Sequence, residues 1–348
     1  MPVLPIARLL GYMKKQGDLL KIGEFGLIRR LVERLPVGGT EIYLGIGDDA
    51  AAVDLGGGRL MLATCDIQIE DIHFTIAGFS PEQIGEKAAA VNLSDIAAMG
   101  GRPLYALVSI AVPQRMDASY IDRVYGGLGE CLARWGAAVI GGNTAKSNDG
   151  LIIDMTLLGE TEHSRLLTRR GAAPGDVVCV TGDLGASRAG LALLSDERLS
   201  VEASARAEAL RRHRTPTPRL SEASVLADLG VSACMDVSDG LAGDTVRLAE
   251  QSGVCVTLCL NDVPAAPCAT AVADALGLSP RTFALEGGED FELLFTVTRE
   301  RIDEISREIR SKTGTQITII GEVTEGEGGW LTSPGGKVSL EQGFDHFK

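Results

Sequence analysis

The chain is short of positive charge for a protein of its length. Lysine and arginine number 33 against 47 aspartates and glutamates in 348 residues, so the formal net charge is −14. A chain this acidic is a poor non-specific binder of nucleic acid or anionic membranes, because both are polyanions. If it binds a phosphorylated ligand, a divalent cation is the obvious source of the missing positive charge.

Cysteine patterns and long apolar runs are also missing. The seven cysteines are scattered and contain no CxxC pair, so neither a disulfide framework nor a zinc site is expected. Residues 1–18 lack an apolar core with a small-residue cleavage site, which argues against a signal peptide. No apolar run approaches the ~20 residues of a membrane span. We therefore expect a cytoplasmic protein with no membrane or nucleic-acid partner.

What is present is a regular alternation of strand-like and helix-like segments. Hydrophobic residues make up 45% of the chain, enough for a packed core. The alternation predicts an α/β (α+β) protein. The glycines at 56–58 between the strand-like runs 41–46 and 59–67 suggest a hairpin, and 282–297 reads as a strand-like piece, a polar turn and a strong strand. It is interrupted by a basic, Gly- and Pro-containing stretch at 164–176. We place the domain boundary there, giving domains 1–163 and 164–348.

Aspartates occur where buried elements end. Asp49 follows a predicted strand in GIGDDA, and Asp95 lies on a predicted helix among small apolar residues. Asp236 and Asp239 lie between a strand and a helix in MDVSDG, and Asp66 lies within or just past another strand. A buried carboxylate needs a partner, and residues 88–99 around Asp95 contain no lysine or arginine. Several uncompensated carboxylates are typical of a Mg²⁺ site, although each one alone could be a cap or turn residue.

Common nucleotide-binding motifs do not explain these residues. GIGDDA matches GxGxxA, and Asp66 falls 21 residues after Gly45, as in a dinucleotide-binding fingerprint. Asp48 and Asp49 would, however, place two negative charges beside a pyrophosphate. The glycines at 56–58 would end a following helix after about one turn, which leaves no helix dipole for the phosphates. A GxxxxGK[ST] loop is absent, so any nucleotide is bound by a less common route.

Read together, the segments resemble the thiamine-monophosphate kinase family, within the superfamily that includes aminoimidazole-ribotide synthetase. The resemblance runs in order along nearly the whole chain, and NLSDIAAMG with SDGL and GGEDFEL is a specific combination. The matching segments are 23–31, 45–53, 66–74, 87–103, 140–144, 166–176, 181–194, 235–241, 287–297 and 343–347.

The resemblance implies a two-domain aminoimidazole-ribotide synthetase-like fold, a homodimer paired through N-terminal strands, and ATP-dependent phosphorylation of thiamine monophosphate to thiamine diphosphate with Mg²⁺. It implies metal-binding positions at Asp49, Thr64, Cys65, Asp66, Asp95, Asn143, Asp236 and Asp239. It implies nucleotide contacts at Tyr125, Gly142, Asn143, Arg169 and Ser238. It places the thiamine phosphate at His73, Glu289 and Phe344. Catalysis would rest on Asp66, Asp95 and Arg169, by direct in-line transfer.

Two positions depart from the family pattern. Asn143 stands in IGGNT where the family usually has an aspartate, and Cys65 precedes Asp66 where the family usually has threonine. Both changes are expected to touch one metal position and to weaken it. Asparagine keeps an oxygen donor without the negative charge, and a thiol is a poor Mg²⁺ ligand, so the Cys65 backbone carbonyl is the better candidate donor.

Two other functions stay open from the sequence. One is an ATP-using enzyme of the same superfamily with a different phosphate acceptor. The other is a nucleotide-binding protein without catalysis, weakened at Asn143. His73, the GGED motif and the GFDHF tail favour the thiamine enzyme.

Overall fold

The computed structural model describes residues 19–35, 38–340, 343–344 and 347. Helix α1 (Leu19–Val32) belongs to a terminal unit that also contains Phe344, and Gly23 interrupts it with φ +64°. The residues on which the signal-peptide expectation depends, 1–18, lie outside the described part, as do two residues of the GFDHF tail. Gly39–Gly343 form a second compact unit, which contains two β-sheets.

The N-terminal sheet has six strands in the order β1-β2-β3-β6-β4-β5. All neighbours are antiparallel except the parallel pair β4 and β5. The strands are β1 (Ile42–Leu44), β2 (Ala51–Gly56), β3 (Arg59–Ile69), β4 (Arg102–Pro113), β5 (Ala138–Ser147) and β6 (Ile152–Glu162). Along β3 and β4 buried residues alternate with more exposed ones, so only one face of these strands is covered.

Two helices of this half pack closely on each other. They are α2 (Pro81–Ala98) and α3 (Ala118–Arg134). Ser80 caps α2: its Oγ accepts the Gln83 N–H at 3.3 Å, and the Gln83 side chain accepts the Ser80 N–H at 3.0 Å. Gly85 is needed where the helices meet, since a Cβ there would lie 1.9 Å from the Val124 carbonyl oxygen. Asp95 lies on α2, and most residues of this helix are buried. The packing of α2 therefore places a carboxylate among apolar neighbours.

The C-terminal half is built on a seven-stranded sheet in the order β13-β12-β9-β11-β7-β10-β8, parallel only between β12 and β9. Its strands are β7 (Asp176–Thr181), β8 (Ala233–Asp236), β9 (Cys255–Cys259), β10 (Leu293–Thr298), β11 (Ile317–Thr324), β12 (Gly328–Ser333) and β13 (Gly336–Ser339). Its helices are α4 (Ala186–Ser195), α5 (Ala203–Arg214), α6 (Leu220–Leu229), α7 (Leu241–Ser252), α8 (Pro267–Ala275), α9 (Pro280–Leu285) and α10 (Ile302–Thr313).

The mixed α/β class with two sheets is confirmed. The predicted boundary at residues 163 and 164 falls between β6 and β7 and stays a prediction. Two local predictions were wrong. The hairpin expected between 41–46 and 59–67 is formed instead by β2 and β3, because AAVDLG is itself a strand. The strand-like piece at 282–285 belongs to a helix whose N-cap is Ser279 and whose first residue is Pro280.

Candidate active site

Three aspartates from distant parts of the chain meet at the candidate site. Asp49 comes from the loop between β1 and β2, Asp95 from α2, and Asp236 from the last position of β8. One carboxylate oxygen of each lies within 4.8 Å of the others. The site therefore joins the N-terminal half to the C-terminal half, and three of the predicted metal positions form one group.

The hydrogen bonds around these carboxylates leave room for a cation. The Thr64 hydroxyl donates to Asp95, and the Ser94 hydroxyl donates to Asp236 at 2.5 Å. Among the described atoms, the buried Oδ2 of Asp49 has no hydrogen-bond partner. A buried carboxylate oxygen without a donor, among other carboxylates, is what a hard cation such as Mg²⁺ would satisfy. The residues present therefore fit Mg²⁺.

Charge repulsion at the site is strong. Burial raises the pKa of Asp95 well above its ordinary range, and Asp66 and Asp236 add to that rise. The pKa of Asp236 is likewise raised well above its ordinary range, by burial and then by Asp49. Burial and the neighbouring Asp239 raise the pKa of Asp66 to about 6. The charges of Asp66 and Asp95 therefore act on each other, and Asp239 acts on Asp66.

Arg169 is a cation of this site, and it binds two adjacent acids. Its Nε donates to Asp49 Oδ1 at 3.1 Å, and its Nη2 also donates to Asp49. Its backbone N–H donates to Asp48 at 3.2 Å. Burial alone would lower the pKa of Arg169, but Asp49 and Asp48 outweigh it and raise it. Burial, with Asp49 beside it, raises the pKa of Asp48 to about 7.

The SDG loop is held by an acid that the sequence analysis missed. Asp244 Oδ2 accepts the N–H groups of Ser238 and Asp239 at 3.1 and 3.2 Å. Arg247 donates to Asp244, and its Nη2 lies 2.8 Å from Asp239 Oδ2. Burial raises the pKa of Asp244 to about 7. Asp244 thus orients the loop that carries two predicted site residues.

Cys65 points away from the aspartates. Its Sγ donates to Asp154 Oδ1 at 3.2 Å, and the Thr156 hydroxyl donates to Sγ at 3.6 Å. Thr64 and Asp66, the two flanking residues, lie on the side of Asp95, because side chains alternate along a strand. Burial raises the pKa of the Cys65 thiol, which favours the protonated form. The structure therefore restricts any contribution of Cys65 to this metal position to its backbone.

Three predicted nucleotide positions lie elsewhere on the N-terminal half. Tyr125 is on α3, and Gly142 and Asn143 are on β5, which α3 contacts. Asp66 is connected to Gly142 across β6 and β4, through Met155 and Val108. Three strand spacings of about 4.8 Å separate them by roughly 14 Å. Within one chain, Asn143 is therefore not beside the metal position that the sequence analysis assigned to both it and Cys65.

The predicted substrate residues are only partly brought together. His73 Nδ1 accepts the Ile69 N–H at 3.0 Å, and Lys87 Nζ donates to both the His73 carbonyl and Glu289, which brings these two residues together. The Glu289 N–H donates to the Ser238 carbonyl at 2.7 Å, which ties Glu289 to the SDG loop. Phe344 belongs to the terminal unit, where it is 57% exposed, and its role stays a prediction.

Some of the missed residues carried a signal in the sequence. Asp48 stands next to Asp49 in GIGDDA, so a second acid after this strand is visible in the sequence. Lys87 opens the apolar run AAAV on α2, and a lysine beside such a run needs a buried partner. Asp244 and Arg247 are three residues apart on α7, a spacing that places two side chains on one helix face.

Comparisons with known proteins agree with this geometry. The family model for the N-terminal domain of AIR synthase related proteins matches residues 47–161, and that for the C-terminal domain matches residues 173–332. The thiamine-monophosphate kinase of Bacillus subtilis is 36% identical over 330 residues, which cover 93% of this chain and 99% of the relative. The chain belongs to the thiamine-monophosphate kinase family.

Solved structures extend the similarity to three dimensions. A structure of AaThiL complexed with AMPPCP and TMP superimposes with a TM-score of 0.83 at 35% identity, covering 96% of this chain and 99% of the other. The hydrogenase maturation protein HypE of E. coli has a TM-score of 0.69 at 20% identity, covering 90% and 98%. At that identity HypE shares the fold alone with this member of the thiamine-monophosphate kinase family.

Proposed function

We propose that this chain transfers the γ-phosphoryl group of ATP to thiamine monophosphate, giving thiamine diphosphate and ADP. The observation that carries the proposal is the group formed by Asp49, Asp95 and Asp236 in a chain that is similar to thiamine-monophosphate kinases over nearly its full length. The complex of AaThiL with AMPPCP and TMP supports the same pair of substrates.

Carboxylates from both halves would hold the metal. Asp49, Asp95 and Asp236 supply oxygen ligands, and Asp66, whose charge acts on Asp95, is a further candidate ligand together with Asp239. When bound, Mg²⁺ would neutralise phosphate charge and polarise the transferring phosphoryl group. Without a metal, the carboxylates would repel phosphate groups. With Mg²⁺ bound, the same carboxylates would hold the cation that attracts the phosphate groups.

The protein's own groups position the reactants. A phosphate acceptor is largely ionised at neutral pH, so it needs no strong base to attack. Arg169 supplies positive charge near the phosphates, Ser238 contacts the nucleotide, and His73 and Glu289 orient the thiamine part. Transfer is direct, since no nucleophile with an activating base is present among the candidate residues.

The active form is a homodimer, and it is cytoplasmic. The uncovered face of the N-terminal sheet and its edge strand β5 expose apolar side chains, and such edges pair with another chain unless they are protected. These side chains are Ile67, Tyr105, Leu107, Val139 and Ile140. Since Asn143 is far from Asp66 within one chain, its proposed contribution to a metal site requires a second copy. No helix in the described part of the chain is long and apolar enough to cross a membrane.

Labelled ATP tests the reaction and its route together. With [γ-³²P]ATP, Mg²⁺ and thiamine monophosphate, label is expected in thiamine diphosphate in proportion to the ADP formed. Without thiamine monophosphate, neither acid-stable nor acid-labile label is expected on the protein. ATP consumption that does not depend on thiamine monophosphate would contradict the substrate, and protein label that can be chased into product would contradict direct transfer.

A further inference from the structure

Lys87 is a buried cation outside the aspartate site. Only 1% of its side chain is exposed, and a lysine is almost never so buried unless it is paired. Its Nζ lies 2.8 Å from Glu289 Oε1 and 3.0 Å from Glu289 Oε2, and it donates to the His73 carbonyl at 3.0 Å. The Phe79 ring centroid lies 5.5 Å away. Lys87 on α2 thus connects two residues predicted to bind the thiamine phosphate.

Glu289 is held in an uncommon conformation. Its φ of +60° is rare for a residue other than glycine, and its N–H is fixed by the Ser238 carbonyl. Its side chain is 30% exposed, so the carboxylate is held by Lys87 without being sealed off. Burial alone would raise the pKa of Glu289, but the Lys87 ammonium outweighs it and lowers the pKa. The carboxylate is therefore ionised at neutral pH and can only accept hydrogen bonds.

His213 lies beside Glu289 as well, but it is uncharged. Its Nδ1 lies 2.9 Å from the Ser187 hydroxyl and 3.5 Å from Glu289 Oε2. Burial lowers the pKa of His213 to about 4, so the ring is neutral near pH 7. Among the ion pairs between described residues, Glu289 is paired with Lys87 at 2.8 Å and lies farther, at 3.5 Å, from His213.

We infer that Lys87 is a positioning residue that fixes Glu289 as an ionised acceptor and thereby makes the acceptor site specific for a cationic or hydrogen-bond-donating group. This inference rests on the proposed function. In thiamine monophosphate such groups are the thiazolium ring and the aminopyrimidine amino group. A phosphate acceptor with a carboxylate or carbonyl at that place would be repelled. Lys87 acts through Glu289 and the His73 backbone and not by touching substrate, because its ammonium is buried and bonded to both.

Steady-state kinetics with each substrate varied separately tests this role. For Lys87→Met we expect the KM for thiamine monophosphate to rise at least tenfold and the KM for ATP to change less than twofold. Lys87→Arg, which keeps the charge, should recover most of the loss. In a Glu289→Gln background, Lys87→Met should raise the KM little further, since Lys87 acts mainly by positioning the Glu289 carboxylate.

Arg219→Met is the matched control. Arg219 is a partly buried cation paired with Glu292, so its loss measures what breaking another lysine- or arginine-carboxylate pair does to the protein. If Lys87→Met does not fold, Lys87→Gln, which retains a donor toward Glu289, should show a smaller rise confined to thiamine monophosphate.

The outcomes separate the two proposals. Wild-type protein that makes no thiamine diphosphate overturns both. If the wild type is active and Lys87→Met raises neither KM, the role of Lys87 is overturned and the proposed reaction stands. The same conclusion follows if Lys87→Met raises both KM values to the extent measured for Arg219→Met. A selective rise that Lys87→Arg reverses supports it.

Discussion

Two sites with buried acidic side chains differ in how their negative charge is balanced. In the C-terminal half, Glu292 is 1% exposed and is held by two arginines: Arg219 at 2.5 and 2.7 Å, and Arg212 at 3.3 Å. The Thr181 hydroxyl donates to it at 2.6 Å. At the aspartate site, Asp49 has Arg169, whereas Asp95 and Asp236 accept from uncharged hydroxyls.

The difference indicates which group has a role beyond folding. The negative charge of a carboxylate that is paired with guanidinium groups is already balanced. Removing one partner leaves a buried charge unpaired. Carboxylates that face one another without enough cations either keep protons or bind a metal. Burial and repulsion between neighbouring carboxylates raise the pKa values of Asp95 and Asp236. The aspartate site is therefore the one whose negative charge a divalent cation would balance.

The largest effect is expected from Asp95→Asn. We expect phosphoryl transfer to fall on the order of 10³-fold, because a charged metal ligand at the reacting group is lost. Stability without metal should stay the same or rise, since a repelling charge is removed. Turnover and thermal unfolding measure the two effects, with the exposed Asp228→Asn as a control. Activity near that of the wild type would contradict the metal role of Asp95.

Glu292→Gln should behave in the opposite way. Breaking this buried ion-pair network is expected to lower the free energy of unfolding by about 3 kcal/mol, with activity per folded molecule little changed. Urea unfolding measures the loss. Glu208→Gln, which breaks an exposed pair with Arg211, is the control and should cost below about 1 kcal/mol. A large loss of activity in fully folded Glu292→Gln would show that the two groups are not separate in function.

The pH dependence of stability should follow the aspartate site. Asp66 and Asp48 have pKa values raised to about 6 and about 7, so between about pH 4 and 7 the folded state keeps protons that the unfolded state has released. These groups therefore lower the stability of the metal-free protein as pH rises through that window. Mg²⁺ requires the ionised forms, so it should raise the melting temperature more at pH 8 than at pH 5. Thermal unfolding with and without Mg²⁺ measures this, and an equal effect at both pH values would contradict it.

A smaller effect is expected at Asn143. Asn143→Asp should restore a unit of charge and improve Mg²⁺ affinity by ~1–2 kcal/mol, about tenfold. The Mg²⁺ concentration for half-maximal activity should fall accordingly, with substrate preference unchanged. If the Mg²⁺ dependence does not move, or activity is lost, Asn143 is an outer or structural residue instead.

The sequence predicted the central aspartates because strand ends and a charge on an apolar helix are visible in it. It could not show that Cys65 and Asn143 lie apart, since that depends on strand order: β6 and β4 are inserted between β3 and β5. Nor could it pair Lys87 with Glu289, which are 202 residues apart. The hairpin prediction was wrong because the short apolar AAVDLG was not counted as a strand before the glycines. The local sequence pattern predicts most of the helices and strands, whereas the pairing of segments distant in sequence determines which polar residues lie together.

Binding of Mn²⁺, as a stand-in for Mg²⁺, to the wild type, Asp236→Asn and Glu292→Gln tests the central contrast most directly. Electron paramagnetic resonance of free Mn²⁺, with a non-hydrolysable ATP analogue present, gives the affinity of each protein. We expect Asp236→Asn to weaken binding at least about tenfold, because one charged ligand is lost, and Glu292→Gln to bind as the wild type does. Equal affinity in all three proteins, or a loss confined to Glu292→Gln, would contradict the assignment of the aspartates as the metal site.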